Sequence, residues 1–296
     1  EEYLKYIIDP AKDTIGKQLV ANFKFFKVIM NPGTHARNIV SNKLLNWREI
    51  KSNSITTDDL WVSLPIKTDD GRFIIPKKDI FNDFDNTLHG LFIPEIPFQF
   101  ISRFAKDNGI IWDCFAGNGT TYYVAKKLGC ENRIVCNDIY SYKNFIIQGD
   151  SRSFNPLLYT NNQLIDLVFC HPPYFNIIKF GEDSRDLSNL TYLSHFLIEM
   201  EKVAENINRY IKNDGYVILV CGNIWVDNEE IDLGVMIKDI FRRYNFKCKS
   251  HIIKDYGETK SRGNKYNLQY YRNLKNGTNF FYGDNIFMLR KQNGTK

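Results

Sequence analysis

From Ile110 onward the apolar positions of the chain switch repeatedly between two periods. Ile110–Cys114, Ile165–Cys170, Tyr216–Cys221, Phe246–Ile253 and Asn285–Leu289 are short apolar runs that predict strands, with Arg133–Asn137 and Phe145–Gln148 as further strand candidates. Between them the spacing becomes helical. Thr120–Leu128 and Leu233–Tyr244 predict helices. Leu193, Phe196, Leu197, Met200, Val203, Ala204, Ile207 and Ile211 mark the core-facing stripe of a longer one. Strands alternating with helices predict an α/β architecture, a doubly wound, mostly parallel sheet. The first 50 residues have helical spacing through Leu19, Phe23, Phe26, Val28 and Ile29, interrupted at Asn31-Pro32-Gly33, with a second helix expected from Thr34 to about Trp47. Lys51–Asp85 is polar and turn-rich, and Asp69-Asp70-Gly71 is a hairpin signal. The expected organisation is a helical N-terminal extension and connecting region over 1–84, followed by the α/β domain over 85–296. No internal repeat is visible.

Composition narrows the class. A chain of 296 residues with 43% hydrophobic and 15% aromatic content can bury a sizeable core, which excludes general disorder. The net charge of +5 is compatible with a nucleic-acid partner without requiring one. The six cysteines (Cys114, Cys130, Cys136, Cys170, Cys221 and Cys248) include no Cys-x-x-Cys pair, so no zinc or other metal site is expected. Most lie in apolar runs, as buried thiols do in a reducing compartment. No run approaches the length of a bilayer span and no signal peptide is expected, so the reading is a soluble cytoplasmic protein with no membrane partner. The first residue is Glu1, as in a fragment or a trimmed chain.

Two motifs carry candidate chemistry. In Asp113-Cys114-Phe115-Ala116-Gly117-Asn118-Gly119-Thr120-Thr121 a strand enters a glycine loop that opens a helix. Glycines there let backbone approach a ligand, and the helix start offers unpaired N–H groups. The loop lacks the Lys of a P-loop and the third glycine of the dinucleotide fingerprint, Tyr122 standing in that place. Asp138 follows the next strand, 25 residues after Asp113, and Asp150 follows the third. An acid at the second strand end suits ribose hydroxyls, and one at the third suits an adenine amino group. Each acid alone also suits an ordinary strand-end turn. The second motif, His171-Pro172-Pro173-Tyr174, follows the strand Ile165–Cys170. Its prolines fix a turn and remove two donors, leaving carbonyl oxygens and the His171 ring as acceptors beside the flat face of Tyr174. A structural Pro-Pro turn with a capping aromatic is the alternative.

Together the two motifs resemble the S-adenosylmethionine-dependent DNA amino-methyltransferases, the N6-adenine and N4-cytosine class, over roughly Asp85–Arg290. His89–Pro97 and Asp186-Leu187-Ser188-Asn189 resemble further segments of that family. The resemblance implies a Rossmann-like methyltransferase sheet with S-adenosyl-L-methionine as cofactor. It implies that Asp113, Phe115, Gly117 and Gly119 hold the cofactor's methionine end, Asp138 its ribose and Asp150 its adenine. It places the target base against His171, Pro172, Pro173 and Tyr174. The family carries Asp, Asn or Ser where this chain has His171, so the target base stays open between adenine and cytosine. A 5-methylcytosine reaction would need a cysteine after a proline, and the chain has no Pro-Cys pair. A neutral imidazole offers one acceptor nitrogen. With a reference pKa of about 6.5, methylation is expected to fall at mildly acid pH.

The implied partner is double-stranded DNA with the target base flipped out of the stack, in a bacterial or phage setting of restriction-modification or DNA protection. Lys254–Asn279 is the candidate recognition loop. Lys254, Lys260, Arg262, Lys265, Arg272 and Lys275 outnumber Asp255 and Glu258, with Tyr256, Tyr266, Tyr270 and Tyr271 interleaved. A solvated surface loop fits the same pattern equally well. The N-terminal helices, with His35, Arg37, Lys43 and Arg48, are a second candidate surface. Competing functions are an RNA or protein-glutamine amino-methyltransferase, or a methyltransferase-fold module that binds nucleic acid without reacting.

Overall fold

β-branched and aromatic runs bounded by glycine, proline and asparagine form the sheet of this protein, and amphipathic stretches cover both of its faces. The computed structural model describes residues 60–62, 66–67, 73–74, 93–105, 108–227, 229–255, 275, 277 and 283–293. In chain order the strands are β1 (Leu60–Val62), β2 (Ile66–Lys67), β3 (Phe73–Ile74), β4 (Ile111–Asp113), β5 (Ile134–Asp138), β6 (Ile147–Gln148), β7 (Ile165–Cys170), β8 (Ile211–Cys221), β9 (Ile224–Val226), β10 (Glu229–Ile231), β11 (Phe246–Asp255) and β12 (Gly283–Lys291). The helices among the described residues are α1 (Glu95–Phe104), α2 (Thr120–Lys127), α3 (Leu193–Tyr210) and α4 (Leu233–Arg243). Eight strands pair in the order β1-β11-β12-β8-β7-β4-β5-β6. Every neighbouring pair is parallel except those of β12, which runs antiparallel to both β8 and β11. The chain winds outward from β4 through β5 to β6, then returns to β7 on the other side of β4. The sheet is therefore doubly wound and Rossmann-like, and the reversal leaves a crevice at the C-terminal ends of β4 and β7.

Strand alternation sorts the core into two layers. One face sets Ile111, Leu167, Phe169, Ile218 and Val220 against Ile96 and Phe100 of α1 and Val124 of α2. The other sets Trp112, Val168, Val217, Leu219 and Phe287 against Phe196, Met200, Val203 and Ile207 of α3 and Ile237 and Phe241 of α4. Each fully buried side chain of this kind contributes roughly 1.5–3 kcal/mol.

The expected strands and helices from Ile110 onward are all present with small differences at their ends. The largest concerns β8, which begins at Ile211 directly after α3. Its early part is distorted: Asp214 takes φ 65°, and the pairing with β7 shifts between Ile165 and Leu167. A Cβ on Gly215 would lie 2.9 Å from the Lys212 carbonyl, so this close approach needs glycine. The helix α1, which the spacing of the sequence leaves unassigned, tolerates Pro97 because that residue sits in the first turn, where N–H groups have no helical partner. β2 and β3 pair antiparallel on either side of the Asp69-Asp70-Gly71 signal, as that signal predicts. β1 joins the edge of the main sheet from a stretch that reads as polar connection. The helices expected within residues 1–50 lie outside the described residues. Among the described residues no helix is long and apolar enough to cross a membrane.

One buried amide ties the strand ends together. Asn137, fully buried near the end of β5, accepts from Trp112 Nε1 of β4 at 2.7 Å. Its own Nδ2 donates to the Gly149 carbonyl and to Ser151 Oγ, both at 3.1 Å. Ser151 Oγ in turn donates to the Cys114 carbonyl. Replacing the amide strands a buried indole N–H and weakens the hold on two loops. We expect Asn137→Ala to lower stability by about 3 kcal/mol, read as a shift of the urea midpoint at constant m, whereas an exposed amide would cost almost nothing.

Candidate active site

The glycine loop leaves β4 at Asp113, whose register partner across β7 is Phe169. Two residues after Phe169 comes His171, so both motifs stand at the same sheet edge on adjacent parallel strands, about 4.8 Å apart. In the loop, Gly117 and Gly119 take φ 51° and 81°, and Gly119 caps α2. A Cβ on Gly119 would lie 2.5 Å from the Phe145 ring, so glycine is required by conformation and by space. Phe115 packs partly buried against the core.

The loop is held by carboxylates. Asp113 Oδ1 accepts from the Phe115 amide at 3.2 Å. Asp138 accepts from the Gly117 amide at 2.9 Å through Oδ2 and from the Tyr140 amide at 3.1 Å through Oδ1. Asp138 therefore shapes the loop itself, and its carboxylate retains acceptor capacity for a further donor. Burial raises the Asp113 carboxyl to about 7, against the pull of nearby donors and with added repulsion from Asp138. Burial likewise raises Asp138 to about 6, against the Gly117 and Tyr140 amides and with added repulsion from Asp186. Two acids that resist ionisation behind a glycine loop suit a ligand that brings positive charge.

Asp150 is held differently. Its Oδ1 accepts from Arg152 Nε at 2.8 Å and its Oδ2 from Arg152 Nη2 at 2.6 Å. Arg152 also donates to Glu199 of α3 and to the Arg185 carbonyl. Asp150 is thus one arm of an ion-pair network centred on Arg152 that anchors the segment after the Pro-Pro turn. That segment is further ordered by the Asp186–Asn189 motif. Asp186 Oδ1 caps a short turn at Ser188, and its Oδ2 accepts from Tyr140 OH at 3.1 Å. Asn189 Nδ2 donates to the Gly181 and Asp183 carbonyls.

At the end of β7, Pro172 is buried, and Phe175 adopts φ 53°, a strained value for an aromatic. Burial against Phe196, with ring centroids 5.8 Å apart, holds that conformation. His171 Nε2 lies 3.2 Å from Tyr174 OH, which donates to Asp284 Oδ1 at 2.9 Å. Asp284 Oδ2 lies 3.6 Å from Lys254 Nζ, and the two residues face one another across β11 and β12. A Cβ on Gly222 would press to 2.8 Å from the Tyr174 ring and 3.0 Å from Asp284, so glycine makes room for this contact. Desolvation lowers the His171 pKa to about 4, with Asp284 opposing and Lys254 reinforcing the shift. Burial therefore favours the neutral ring and places its acid limit near pH 4, not at the mildly acid pH expected from sequence.

The structure therefore brings Asp113, Phe115, Gly117, Gly119, Asp138, Asp150 and the His171–Tyr174 turn to one sheet edge. It adds Asn137, Ser151, Gly222, Asp284 and Lys254, which the motifs do not mark. Lys254, counted by sequence among cations facing DNA, is only 8% exposed and paired with Asp284. Its position beside a carboxylate 30 residues away becomes visible only once β11 and β12 pair. Lys260, Arg262, Lys265 and Arg272 lie outside the described residues.

No family model matches the chain, and no curated protein sequence matches it. Among solved structures it is similar to TrmN from Thermus thermophilus, at 12% identity over 69% of this chain and 51% of that one, with a TM-score of 0.41. It is similar to an O-methyltransferase from a trans-AT PKS multienzyme of Brevibacillus brevis, solved with S-adenosyl-L-homocysteine, at 13% identity over 68% and 72% of the two chains, TM-score 0.41. A third is TTHA0409, also from Thermus thermophilus, a proposed DNA modification methylase, at 20% identity over 50% and 54%, TM-score 0.31. The chain spans about half the length of TrmN and of TTHA0409.

The raised acids have a measurable consequence. The folded state holds the Asp113 proton up to about pH 7, whereas the unfolded chain releases it near 3.8. This carboxyl's favourable contribution is complete below about pH 3.8 and is lost as pH rises through 7. Asp113→Asn should therefore gain stability relative to the parent between about pH 4 and 8, by urea denaturation at each pH. A difference independent of pH would mean that Asp113 is ionised throughout.

Proposed function

We propose that the protein is an S-adenosylmethionine-dependent methyltransferase acting on an exocyclic amino nitrogen of a DNA base, N6 of adenine or N4 of cytosine. The observation that carries this reading is the placement of the glycine loop and the His171-Pro172-Pro173-Tyr174 turn on adjacent strands, β4 and β7, at the switch point of the sheet. A cofactor cradle and an acceptor platform then stand side by side at one sheet edge, the juxtaposition a direct transfer needs.

The residues present suit this cofactor. Gly117 and Gly119 let backbone approach it, Asp138 retains acceptor capacity for ribose hydroxyls, and the Asp113 and Asp138 carboxyls, both raised in pKa, gain from a cationic ligand. Asp150, already bound by Arg152, would meet the adenine through an arrangement fixed by that ion pair. When bound, the cofactor supplies an electrophilic methyl group. The chain's part is to make the base nitrogen nucleophilic. That nitrogen's lone pair is delocalised into the ring, and acceptors drawing on its protons restore tetrahedral character. His171 and the carbonyl oxygens of the Pro-Pro turn are those acceptors, and Tyr174 borders the base. At a pKa of about 4, His171 cannot hold the released proton at neutral pH, so its role is to accept a hydrogen bond while the proton leaves to solvent. Lys260, Arg262, Lys265 and Arg272 would contact phosphates of the flanking duplex.

Isothermal titration should show S-adenosylmethionine binding, weakened at least about tenfold in Asp138→Ala. Transfer of labelled methyl to genomic DNA should follow, and be nearly lost in His171→Ala with some return in His171→Asn. At saturating cofactor the rate should stay flat from about pH 5.5 to 8 and fall toward pH 4 as the ring protonates. Full activity of His171→Ala, or methylation of protein or RNA but not DNA, would overturn the reading.

The recognition loop has its own test. Replacing Lys260, Arg262 and Lys265 with Ala should weaken DNA binding and reduce its salt slope by up to about three, with cofactor affinity unchanged. If cofactor affinity falls while DNA affinity holds, the loop supports the fold instead.

A further inference from the structure

Resting on that function, we propose that Asp284 and Tyr174 are positioning residues, forming a hydrogen-bond relay that fixes His171 as the Nε2-protonated tautomer and so makes Nδ1 its accepting nitrogen.

The direction of each bond follows from its neighbour. Asp284 is paired through Oδ2 with Lys254 and meets Tyr174 OH through Oδ1. A carboxylate only accepts, so the single hydroxyl hydrogen of Tyr174 goes to Asp284. Toward His171 the phenol oxygen then has only a lone pair to offer, and the Nε2 that lies 3.2 Å away must carry a hydrogen. A neutral imidazole has one N–H, so Nδ1 carries no hydrogen and can only accept. Burial lowers the His171 pKa, which favours the neutral ring with a single N–H. The groups of the relay come from three separate parts of the chain: the turn after β7, the start of β12 and the end of β11. Gly222, just past the end of β8, leaves the space in which Tyr174 and Asp284 meet. The arrangement has the logic of a carboxylate that orients a catalytic imidazole, with a phenol inserted between them.

Asp284→Asn tests the relay without changing volume. Lys254 would hold the amide oxygen, which turns the NH₂ toward Tyr174. The phenol must then donate to Nε2, and the hydrogen on His171 moves to Nδ1. Nitrogen-15 NMR of labelled full-length protein, with the His171 signals assigned by their loss in His171→Gln, should show Nε2-H in the parent and Nδ1-H in Asp284→Asn. Methyl transfer should fall roughly a hundredfold in the variant while S-adenosylmethionine affinity is retained. Should Asp284→Asn fail to fold, Tyr174→Phe cuts the same chain and should give a mixture of tautomers. A parent ring protonated on Nδ1, or a tautomer that neither variant alters, overturns the relay. The tautomer is read without turnover, so absence of DNA methylation by the parent would count against the proposed function and leave the relay to stand or fall on the spectra.

Discussion

The Asn137 side chain is the constraint on which the rest of the site depends. It is wholly removed from water, so its amide and each of its partners must be satisfied within the protein. Its partners are the Trp112 indole in β4 and the loop of Gly149 and Ser151 after β6, while Ser151 fastens the first carbonyl of the glycine loop. The geometry of β4, β5 and the segment after β6 is thereby settled from behind. The face toward the crevice is left to Gly117, Gly119 and Asp138. A loop that must adopt positive φ at two glycines is kept in register by hydrogen bonds that no ligand need supply.

Electrostatics divides the sheet edge into two halves. On the β4–β5 side, burial raises Asp113 and Asp138 toward neutrality, and repulsion from a nearby carboxylate adds to the effect at each. On the β7 side the same loss of water works in the opposite sense on His171, which stays neutral far below its ordinary range. Low polarity thus yields carboxyls ready to answer a positive ligand beside an imidazole that remains an acceptor. Lys254 and Asp284 form a charged pair in this interior, where an isolated charge would be costly, and the bond from Tyr174 uses a further lone pair of the carboxylate.

The segment after the Pro-Pro turn illustrates how strain and charge are combined. Phe175 is held in the left-handed region by burial against Phe196, and the chain that follows is pinned by Tyr140, Asp186, Asn189 and the Arg152–Asp150–Glu199 network. Asp150 shows the difference between a residue's position and its partners. It stands at the strand end where the sequence places it, yet both oxygens are taken by Arg152, two residues on.

Sequence by itself determined most strands and helices from Ile110 onward, though not the short β9–β10 pair or the early part of β8, and the two motifs at strand ends. Periodicity and turn chemistry are local properties that survive any change in packing. Pro97 hid α1, because a proline in a first turn and a proline in a loop look alike without the helix that follows. Only tertiary structure decided which charges are surface and which are site. Lys254 reads as one cation of a basic loop and Asp284 as one acid before a last strand. Their pairing depends on the antiparallel register of β11 and β12, which joins residues 30 positions apart. The raised Asp113 and Asp138 carboxyls, and how far below its ordinary range His171 stays neutral, were likewise beyond the sequence, because they are set by how much water the packed sheet excludes, and water exclusion is a property of the assembled core.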